Sequence, residues 1–138
     1  KWFIIGVGAL KEKLEKQIKE EGLENNVFLL GAKDNPYPYI KNCTLLVQSS
    51  RYEGKSVVLD EAKILKTPIV VTEYPTVYDQ IIDQKEGLIV PITPEGIAKG
   101  IEEIVNNATL KNELIKYLSC HEYGNQKEIK KYCDLIDD

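Results

Sequence analysis

Residues 49–71 read SSRYEGKSVVLDEAKILKTPIVV, a glycine-containing turn followed by two apolar segments on either side of Pro68. Gly54 permits a tight turn, and Ser56 is a residue type that favours the N-cap of a helix. We therefore predict a helix that begins near Ser56 and a strand at Ile69–Thr72. Because the helix sequence is apolar on almost every side, we expect it to be buried deep in an α/β fold.

Short apolar segments rich in β-branched residues alternate with helical segments along the whole chain. The predicted strands are Trp2–Ile5, Val27–Leu30, Leu45–Val47, Ile69–Thr72 and Leu88–Val90. The predicted helices are Leu10–Glu21, Asn35–Asn42, the segment after Ser56, Val77–Ile82, Pro94–Asn106, Leu110–Leu118 and Gln126–Ile136. This alternation predicts an α/β fold, with a Rossmann-like parallel sheet covered by helices on both faces. We expect residues 1–138 to form a single domain.

The composition is that of a globular protein, since hydrophobic residues make up 43% of the 138 residues. No apolar segment approaches the roughly 20 residues that span a bilayer. A net charge of −4 argues against nucleic acid as a partner. Cys43, Cys120 and Cys133 lack metal-ligand spacing, so we interpret them as reduced thiols of a cytoplasmic protein. The chain contains no Met and begins in a strand-like segment, so we expect it to be a piece of a longer protein.

The loops that follow the predicted strands are the expected ligand site, because ligands of parallel sheets bind beyond the carboxyl ends of the strands. Loops at residues 6–8, 31–33, 49–55 and 72–76 each follow a strand, and we expect them to gather along one rim. In the first loop, Gly8 ends a Gly-x-Gly that would let the backbone approach a phosphate. The third glycine of the dinucleotide fingerprint is missing, so a plain tight turn fits equally well.

The start of the helix after Gly54 is a candidate diphosphate site. Its free N–H groups, from about Lys55 to Val58, carry partial positive charge from the helix dipole, and Lys55 adds a full charge. Glu61 lies five residues after Ser56, about 7–8 Å along the helix, which is the distance from a diphosphate to its ribose. A carboxylate accepts hydrogen bonds from two neighbouring hydroxyls, so we assign Glu61 to the ribose.

Glu53 has two interpretations. A carboxylate would repel phosphates, so its partner would be a sugar attached to the distal phosphate. Alternatively, Glu53 only caps the turn or pairs with Arg51. The next rim loop offers Tyr74, Thr76 and Tyr78, which either meet the sugar or acceptor or only form a structural turn.

Several motifs, in order, resemble one enzyme family. The frame S-x-x-x-E-G, with Glu53 and Glu61 separated by seven residues and followed by KTPIVV, resembles the E-x7-E motif of retaining glycosyltransferases with the GT-B fold. The match is to family-four enzymes and their glycogen-synthase-like relatives, and residues 52–81 are similar to bacterial cell-surface polysaccharide transferases. The segments NNVFLLG and EGLIVP extend the resemblance over most of the chain. It implies the C-terminal, nucleotide-sugar-binding domain of such an enzyme.

The resemblance implies a role for each matching position. Glu53 would contact the donor sugar, Glu61 the ribose, and the backbone of residues 56–58 the diphosphate. Ala32 and Lys33 would touch the base through backbone groups. The implied site consists of the catalytic Glu53 and the donor-binding residues Gly8, Ala32, Lys33, Gly54, Lys55, Ser56, Val57, Val58 and Glu61. At Lys55 the family more often has an apolar residue or glycine.

The implied reaction transfers a sugar from a nucleotide diphosphate sugar, with UDP as the common donor, and retains the anomeric configuration. Positive groups would stabilise the departing diphosphate, so we expect neither a metal nor a cofactor. The lone His121 fits a surface connection between helices. The family's basic strand–helix unit and its N-terminal acceptor domain would precede Lys1, so we expect the fragment to be inactive alone. The enzyme would be cytoplasmic, at the inner face of the membrane if that domain associates with it peripherally.

Two alternatives remain open. The first is a nucleotide-sugar epimerase of the same fold, which should carry acid–base carboxylates and histidines in its cleft, whereas this chain has one His. The second is a nucleotide-binding module that has lost catalysis, against which the presence of both Glu53 and Glu61 argues.

Overall fold

The computed structural model of the protein describes residues 1–124, in which strands and helices alternate. The elements are β1 (Trp2–Ile5), α1 (Lys11–Glu20), β2 (Val27–Gly31), α2 (Tyr37–Asn42), β3 (Leu46–Gln48), α3 (Val57–Ile64), β4 (Ile69–Thr72), β5 (Gly87–Val90), α4 (Pro94–Asn106) and α5 (Ala108–Cys120). These elements confirm the predicted order. The predicted helix at Val77–Ile82 is instead a 3-10 turn over Val77–Asp79, and the one at Gln126–Ile136 lies outside the described residues.

The chain divides into two compact units, residues 1–38 and residues 39–138. In the first unit, β1 and β2 pair in parallel. Helix α1 is followed by Gly22, whose φ of +64° is the left-handed conformation that commonly ends a helix. Ion pairs between residues four apart, such as Lys11 with Glu15, lie on the exposed surface of α1. The charged segment of α1 is therefore a solvated helix face, as its sequence indicates.

In the second unit, three parallel strands lie in the order β3-β4-β5. Successive side chains of a strand point to opposite faces of the sheet, and β4 shows this clearly. Ile69 belongs to a buried cluster with Leu59 of α3. The next residue, Val70, belongs to a second cluster with Ile104 of α4 and Leu114 of α5. Helices therefore cover both faces of this sheet, which confirms the predicted α/β architecture.

Helix α4 begins as its sequence predicts. Thr93 is the N-cap, and its Oγ1 accepts a hydrogen bond of 3.0 Å from the N–H of Gly96. Pro94 occupies the first helical turn, where its missing N–H costs nothing. None of the helices within residues 1–124 combines the length and the apolar character needed to cross a membrane.

Helix α3 corrects the expectation of an all-round buried apolar helix. Val57 is 67% exposed and Ile64 is 47% exposed, whereas the charged Lys63 is buried. The Lys63 ammonium donates a hydrogen bond of 2.6 Å to the carbonyl oxygen of Gln80 and lies 3.3 Å from a carboxylate oxygen of Asp60. These partners offset the cost of burying the charge. They come from tertiary structure, so the hydrophobic pattern of the helix could not reveal them.

Candidate functional site

Glu53 lies in the loop between β3 and α3 and is half-buried. Its Oε1 accepts a hydrogen bond of 2.7 Å from the Ser50 hydroxyl. Among the ion pairs of residues 1–124, none joins Glu53 to Arg51, so the interpretation of Glu53 as an ion-pair partner of Arg51 is wrong. The carboxylate is held by a neutral hydroxyl and retains acceptor capacity for a further donor.

The backbone of the Glu53 loop is fastened by the loop that follows β4. The Thr72 hydroxyl donates a hydrogen bond to the carbonyl oxygen of Ser50. The Thr76 hydroxyl donates one of 2.7 Å to the carbonyl oxygen of Glu53. Within the second unit, two of the loops predicted to share a rim are therefore in contact. Thr76 serves the loop structure through this bond, which was one of the two roles that its sequence position left open.

The start of α3 differs from the prediction at Ser56. Ser56 occupies the N-cap position, but its side chain does not cap the helix. Its hydroxyl donates to Oε1 of Gln48 at 2.7 Å, and its N–H donates to Oε1 of Gln80 at 2.8 Å. The prediction that the Ser56 N–H is free for a diphosphate is wrong, because Gln80 accepts its hydrogen. The next N–H groups, those of Val57 and Val58, are in the first helical turn and have no acceptor within the helix.

Charges near this helix start are more evenly balanced than the sequence suggests. Lys55 is exposed, and its ammonium lies 3.5 Å from a carboxylate oxygen of Asp60. The other carboxylate oxygen of Asp60 lies 3.3 Å from the ammonium of Lys63. Glu61 of the same helix adds a second carboxylate, so Lys55, Asp60, Glu61 and Lys63 together carry no net charge. Sequence reasoning identified Lys55 but missed Asp60 and Lys63, because only the fold reveals which charges are paired.

Glu61 and Gly54 lie on either side of the helix start. Glu61 is half-exposed in the second turn of α3, about 6 Å along the axis from Val57 at 1.5 Å per residue. Gly54 is exposed, and a Cβ built on it meets no atom within 4 Å. Its φ is not among the left-handed values of the described residues, so the turn itself does not require glycine.

The remaining predicted site residues belong to the first unit. Gly8 follows β1, Ala32 and Lys33 follow β2, and all three are exposed. The N–H of Gly6 donates a hydrogen bond of 2.9 Å to the carbonyl oxygen of Gly31. The loops that carry Gly8 and Ala32 therefore begin next to each other, at the paired ends of β1 and β2.

Tyr74 is only 2% exposed, and its hydroxyl has no hydrogen-bond partner in the described part of the chain. Burial raises the pKa of Tyr74, and the negative charge of Glu53 raises it further. Tyr78 is exposed and donates a hydrogen bond of 2.8 Å to Glu73. His121 is exposed and stacks on Tyr117 at 4.0 Å between ring centres, which confirms it as a surface residue.

Comparison with known sequences finds one family over most of the chain. The profile of the family described as "Glycosyl transferases group 1" matches residues 1–119. A poly(ribitol-phosphate) alpha-N-acetylglucosaminyltransferase of Staphylococcus aureus is 32% identical over 144 residues, which cover 99% of this chain and 29% of that protein. A Campylobacter jejuni transferase, N-acetylgalactosamine-N,N'-diacetylbacillosaminyl-diphospho-undecaprenol 4-alpha-N-acetylgalactosaminyltransferase, is 33% identical over 113 residues, covering 80% of this chain and 31% of that protein.

Solved structures show the same fold. A crystal structure of a mutant of S. aureus TarM in complex with Fondaparinux, alpha-GlcNAc-glycerol and UDP superposes with a TM-score of 0.80 and 31% identity, covering all of this chain and 29% of that one. Anabaena HepE in complex with UDP superposes with a TM-score of 0.78 and 19% identity, covering 86% of this chain and 34% of that one. These neighbours confirm the predicted GT-B type of α/β fold. The chain spans less than a third of the length of the S. aureus and C. jejuni transferases compared by sequence.

Proposed function

Because the chain belongs to the glycosyl transferases group 1 family, we propose that it is the donor-binding part of a retaining glycosyltransferase. Its donor would be a nucleotide diphosphate sugar, with UDP as the nucleotide. The observation that carries the proposal is the half-buried Glu53 carboxylate, held by Ser50 at the entrance to a helix whose first N–H groups lack intrahelical acceptors. UDP is also bound in the TarM and HepE crystal structures.

In this proposal each part of the donor meets a different group of the chain. The N–H groups of Val57 and Val58 bind the diphosphate, now without that of Ser56. Glu53 accepts hydrogen bonds from the sugar, and Glu61 accepts them from the ribose hydroxyls.

The chemistry follows from the charge that develops during transfer. As the bond between the anomeric carbon and the phosphate oxygen breaks, negative charge grows on the leaving diphosphate. The N–H groups and the dipole at the start of α3 stabilise that charge, and the exposed ammonium of Lys55 adds to the effect. We propose that these groups act without a metal ion, so that transfer persists in excess chelator.

Transfer of the sugar to an acceptor would require parts of the protein beyond this chain. We propose that an N-terminal acceptor domain precedes it and that a basic strand–helix unit completes the diphosphate site. The product would be a cell-surface polysaccharide or its lipid-linked precursor, made in the cytoplasm at the inner face of the membrane. The 138-residue chain alone would then bind donor weakly and show no turnover.

Calorimetric titration with UDP tests the donor site. Loss of the ribose contact in Glu61→Ala should weaken UDP binding roughly 10- to 100-fold, because a hydrogen bond to a charged group contributes about 1.5–3 kcal/mol. Glu102→Ala, which removes an exposed carboxylate from α4, should bind UDP as the wild type does. Failure of the wild type to bind UDP, or equal affinity in wild type and Glu61→Ala, would contradict the assignment.

The role of Glu53 is tested by turnover in the full-length protein, measured as UDP release from a UDP-sugar. Glu53→Gln keeps the size of the side chain and removes its charge. It should lower the rate much more than it lowers UDP affinity, because the carboxylate faces the sugar and not the nucleotide. A Glu53→Gln protein that turns over at the wild-type rate would refute this role.

A further inference from the structure

A continuous series of side-chain hydrogen bonds leads from the core of the second unit to the Glu53 carboxylate. Gln80 holds the backbone of Ser56 at both its N–H and its carbonyl oxygen, at 2.8 and 3.2 Å. The Ser56 hydroxyl donates to Oε1 of Gln48, and Nε2 of Gln48 donates to the Ser50 hydroxyl at 3.3 Å. The Ser50 hydroxyl donates to Glu53. Residues 48, 50, 56 and 80, which we call the relay, come from three separate segments of the chain.

The directions of the side-chain hydrogen bonds follow from the carboxylate, which can only accept. Ser50 gives its single proton to Glu53, so its oxygen accepts from the NH₂ group of Gln48. The amide oxygen of Gln48 then faces Ser56 and accepts the Ser56 hydroxyl proton. Gln80 acts differently, because it holds the N–H and the carbonyl oxygen of Ser56 and so fixes where that hydroxyl lies. Each polar group of the relay therefore has one arrangement that satisfies the Glu53 carboxylate.

The inner end of the relay is rigid. Gln48, Ser56 and Gln80 are all less than 10% exposed. The carbonyl oxygen of Gln80 accepts the hydrogen bond from the buried Lys63 ammonium. A buried network in which each member is satisfied favours one arrangement strongly over others, because any rearrangement leaves a polar group without a partner.

The relay holds a side chain, whereas other residues already hold the backbone. Thr72 and Thr76 fasten the carbonyl groups of Ser50 and Glu53. The loop therefore keeps two backbone anchors even without the Ser50 hydroxyl. What the Ser50 hydroxyl adds is the orientation of the Glu53 carboxylate itself.

We propose that Ser50, Gln48 and Gln80 are positioning residues that aim the Glu53 carboxylate at the donor sugar. This inference rests on the proposed function, in which Glu53 contacts that sugar. Small misplacements of a reacting or binding group cost large factors in rate, so loss of the relay should affect transfer more than nucleotide binding.

The test compares Ser50→Ala with Ser119→Ala in the full-length protein, since Ser119 is an exposed serine of α5 outside the relay and outside the rim loops. UDP affinity is measured by calorimetry. The rate is measured as UDP release from UDP-glucose or UDP-N-acetylglucosamine, whichever is turned over faster. We expect Ser50→Ala to release UDP roughly 10- to 100-fold more slowly, with UDP affinity within about twofold of wild type. Ser119→Ala should match the wild type in both, and Ser50→Thr, which keeps the hydroxyl, should recover most of the rate.

Two further variants separate positioning from a merely structural role. Gln48→Glu replaces the NH₂ donor with a second acceptor that competes for the Ser50 proton, so it should reproduce the rate loss of Ser50→Ala. In a Glu53→Gln background, Ser50→Ala should cost little more, because residues that act through one group are not additive. The relay would be overturned if the two losses multiply in that double variant. It would also be overturned if Ser50→Ala releases UDP as fast as Ser119→Ala. If the wild type releases no UDP, or Glu53→Gln is as fast as wild type, the proposed function fails instead.

Discussion

Gly100 of α4 provides the sharpest test of how the second unit is packed. A Cβ at this position would lie 2.6 Å from Cγ1 of Val90 and 3.2 Å from Cγ1 of Val70. Carbon atoms in contact are normally about 3.5–4.0 Å apart, so Gly100→Ala requires a movement of nearly 1 Å. Valine side chains are stiff at χ1, and the two valines lie on the paired strands β4 and β5. The strain is therefore relieved only by lifting α4 from the sheet.

The expected change in stability is the sum of two opposing contributions. Replacing glycine by alanine inside a helix contributes about 1 kcal/mol of stability when nothing else changes. Overpacking a well-filled core costs about 1–3 kcal/mol. Because the clash involves two valines and no flexible chain end, we place its cost near the top of that range. Gly100→Ala should then lower the free energy of unfolding by about 1–2 kcal/mol.

Urea denaturation followed by circular dichroism measures this free energy. Ala98→Gly, at an exposed position of the same helix, isolates helix propensity and should destabilise by about 1 kcal/mol. Combining Gly100→Ala with Val90→Ala should cost less than the sum of the two single changes, since the closest contact is removed. A Gly100→Ala protein that is more stable than the wild type would refute the close approach of α4 to β5.

Three other predictions concern single side chains. Burial and the charge of Glu53 raise the pKa of Tyr74 in the folded state. The neutral Tyr74 hydroxyl therefore contributes fully to the free energy of unfolding below the ordinary tyrosine pKa of about 10. This contribution is lost as pH rises through the folded-state pKa. Alkaline unfolding of Tyr74→Phe should therefore start at higher pH than that of wild type, and an unchanged onset would contradict this. Burial also raises the pKa of the Cys43 thiol, so iodoacetamide at pH 8 should alkylate Cys43 more slowly in the folded chain than in urea, as measured by mass spectrometry. Thr93→Ala should lose about 1 kcal/mol in urea denaturation because the cap on Gly96 is removed, while Thr93→Ser should keep most of it.

Sequence reasoning succeeded where local chemistry decides the outcome. The strand at Ile69–Thr72 and the helix at Pro94–Asn106 have the predicted bounds, because their β-branched runs and the Thr-Pro start are local signals. It failed where a distant residue decides. At Ser56 the N-cap preference is a local tendency, but in the fold the hydroxyl donates to Gln48 and the N–H donates to Gln80, 24 residues further on. The burial of Lys63 has the same origin, since its acceptor is the carbonyl oxygen of Gln80.

In the predicted site, too, local sequence signals were informative and contacts between separate segments were not predicted. Spacing was sufficient to single out Glu53 and Glu61 and to place them around the start of one helix. It did not reveal the partners of Glu53, because Gln48 and Ser50 look like ordinary polar residues at a strand end. A glutamine that ends a strand next to a Gly-containing loop, such as Gln48, is a weak signal for such a partner. It becomes informative only when the structure shows that its NH₂ group donates to Ser50, which in turn donates to Glu53.

Ser56 connects the two halves of the proposed donor site. Its hydroxyl belongs to the relay that orients Glu53, while its backbone fixes where α3 begins and so where the N–H groups of Val57 and Val58 lie. One buried residue thus sets the separation between the Glu53 carboxylate and the proposed diphosphate site. Ser50 lies beyond that junction, on the sugar side alone. Gln80→Leu removes both hydrogen bonds to the Ser56 backbone, so it should weaken UDP binding and also slow UDP release, whereas Ser50→Ala should slow release only. Identical profiles for the two variants would show that the two halves of the site are not joined at Ser56.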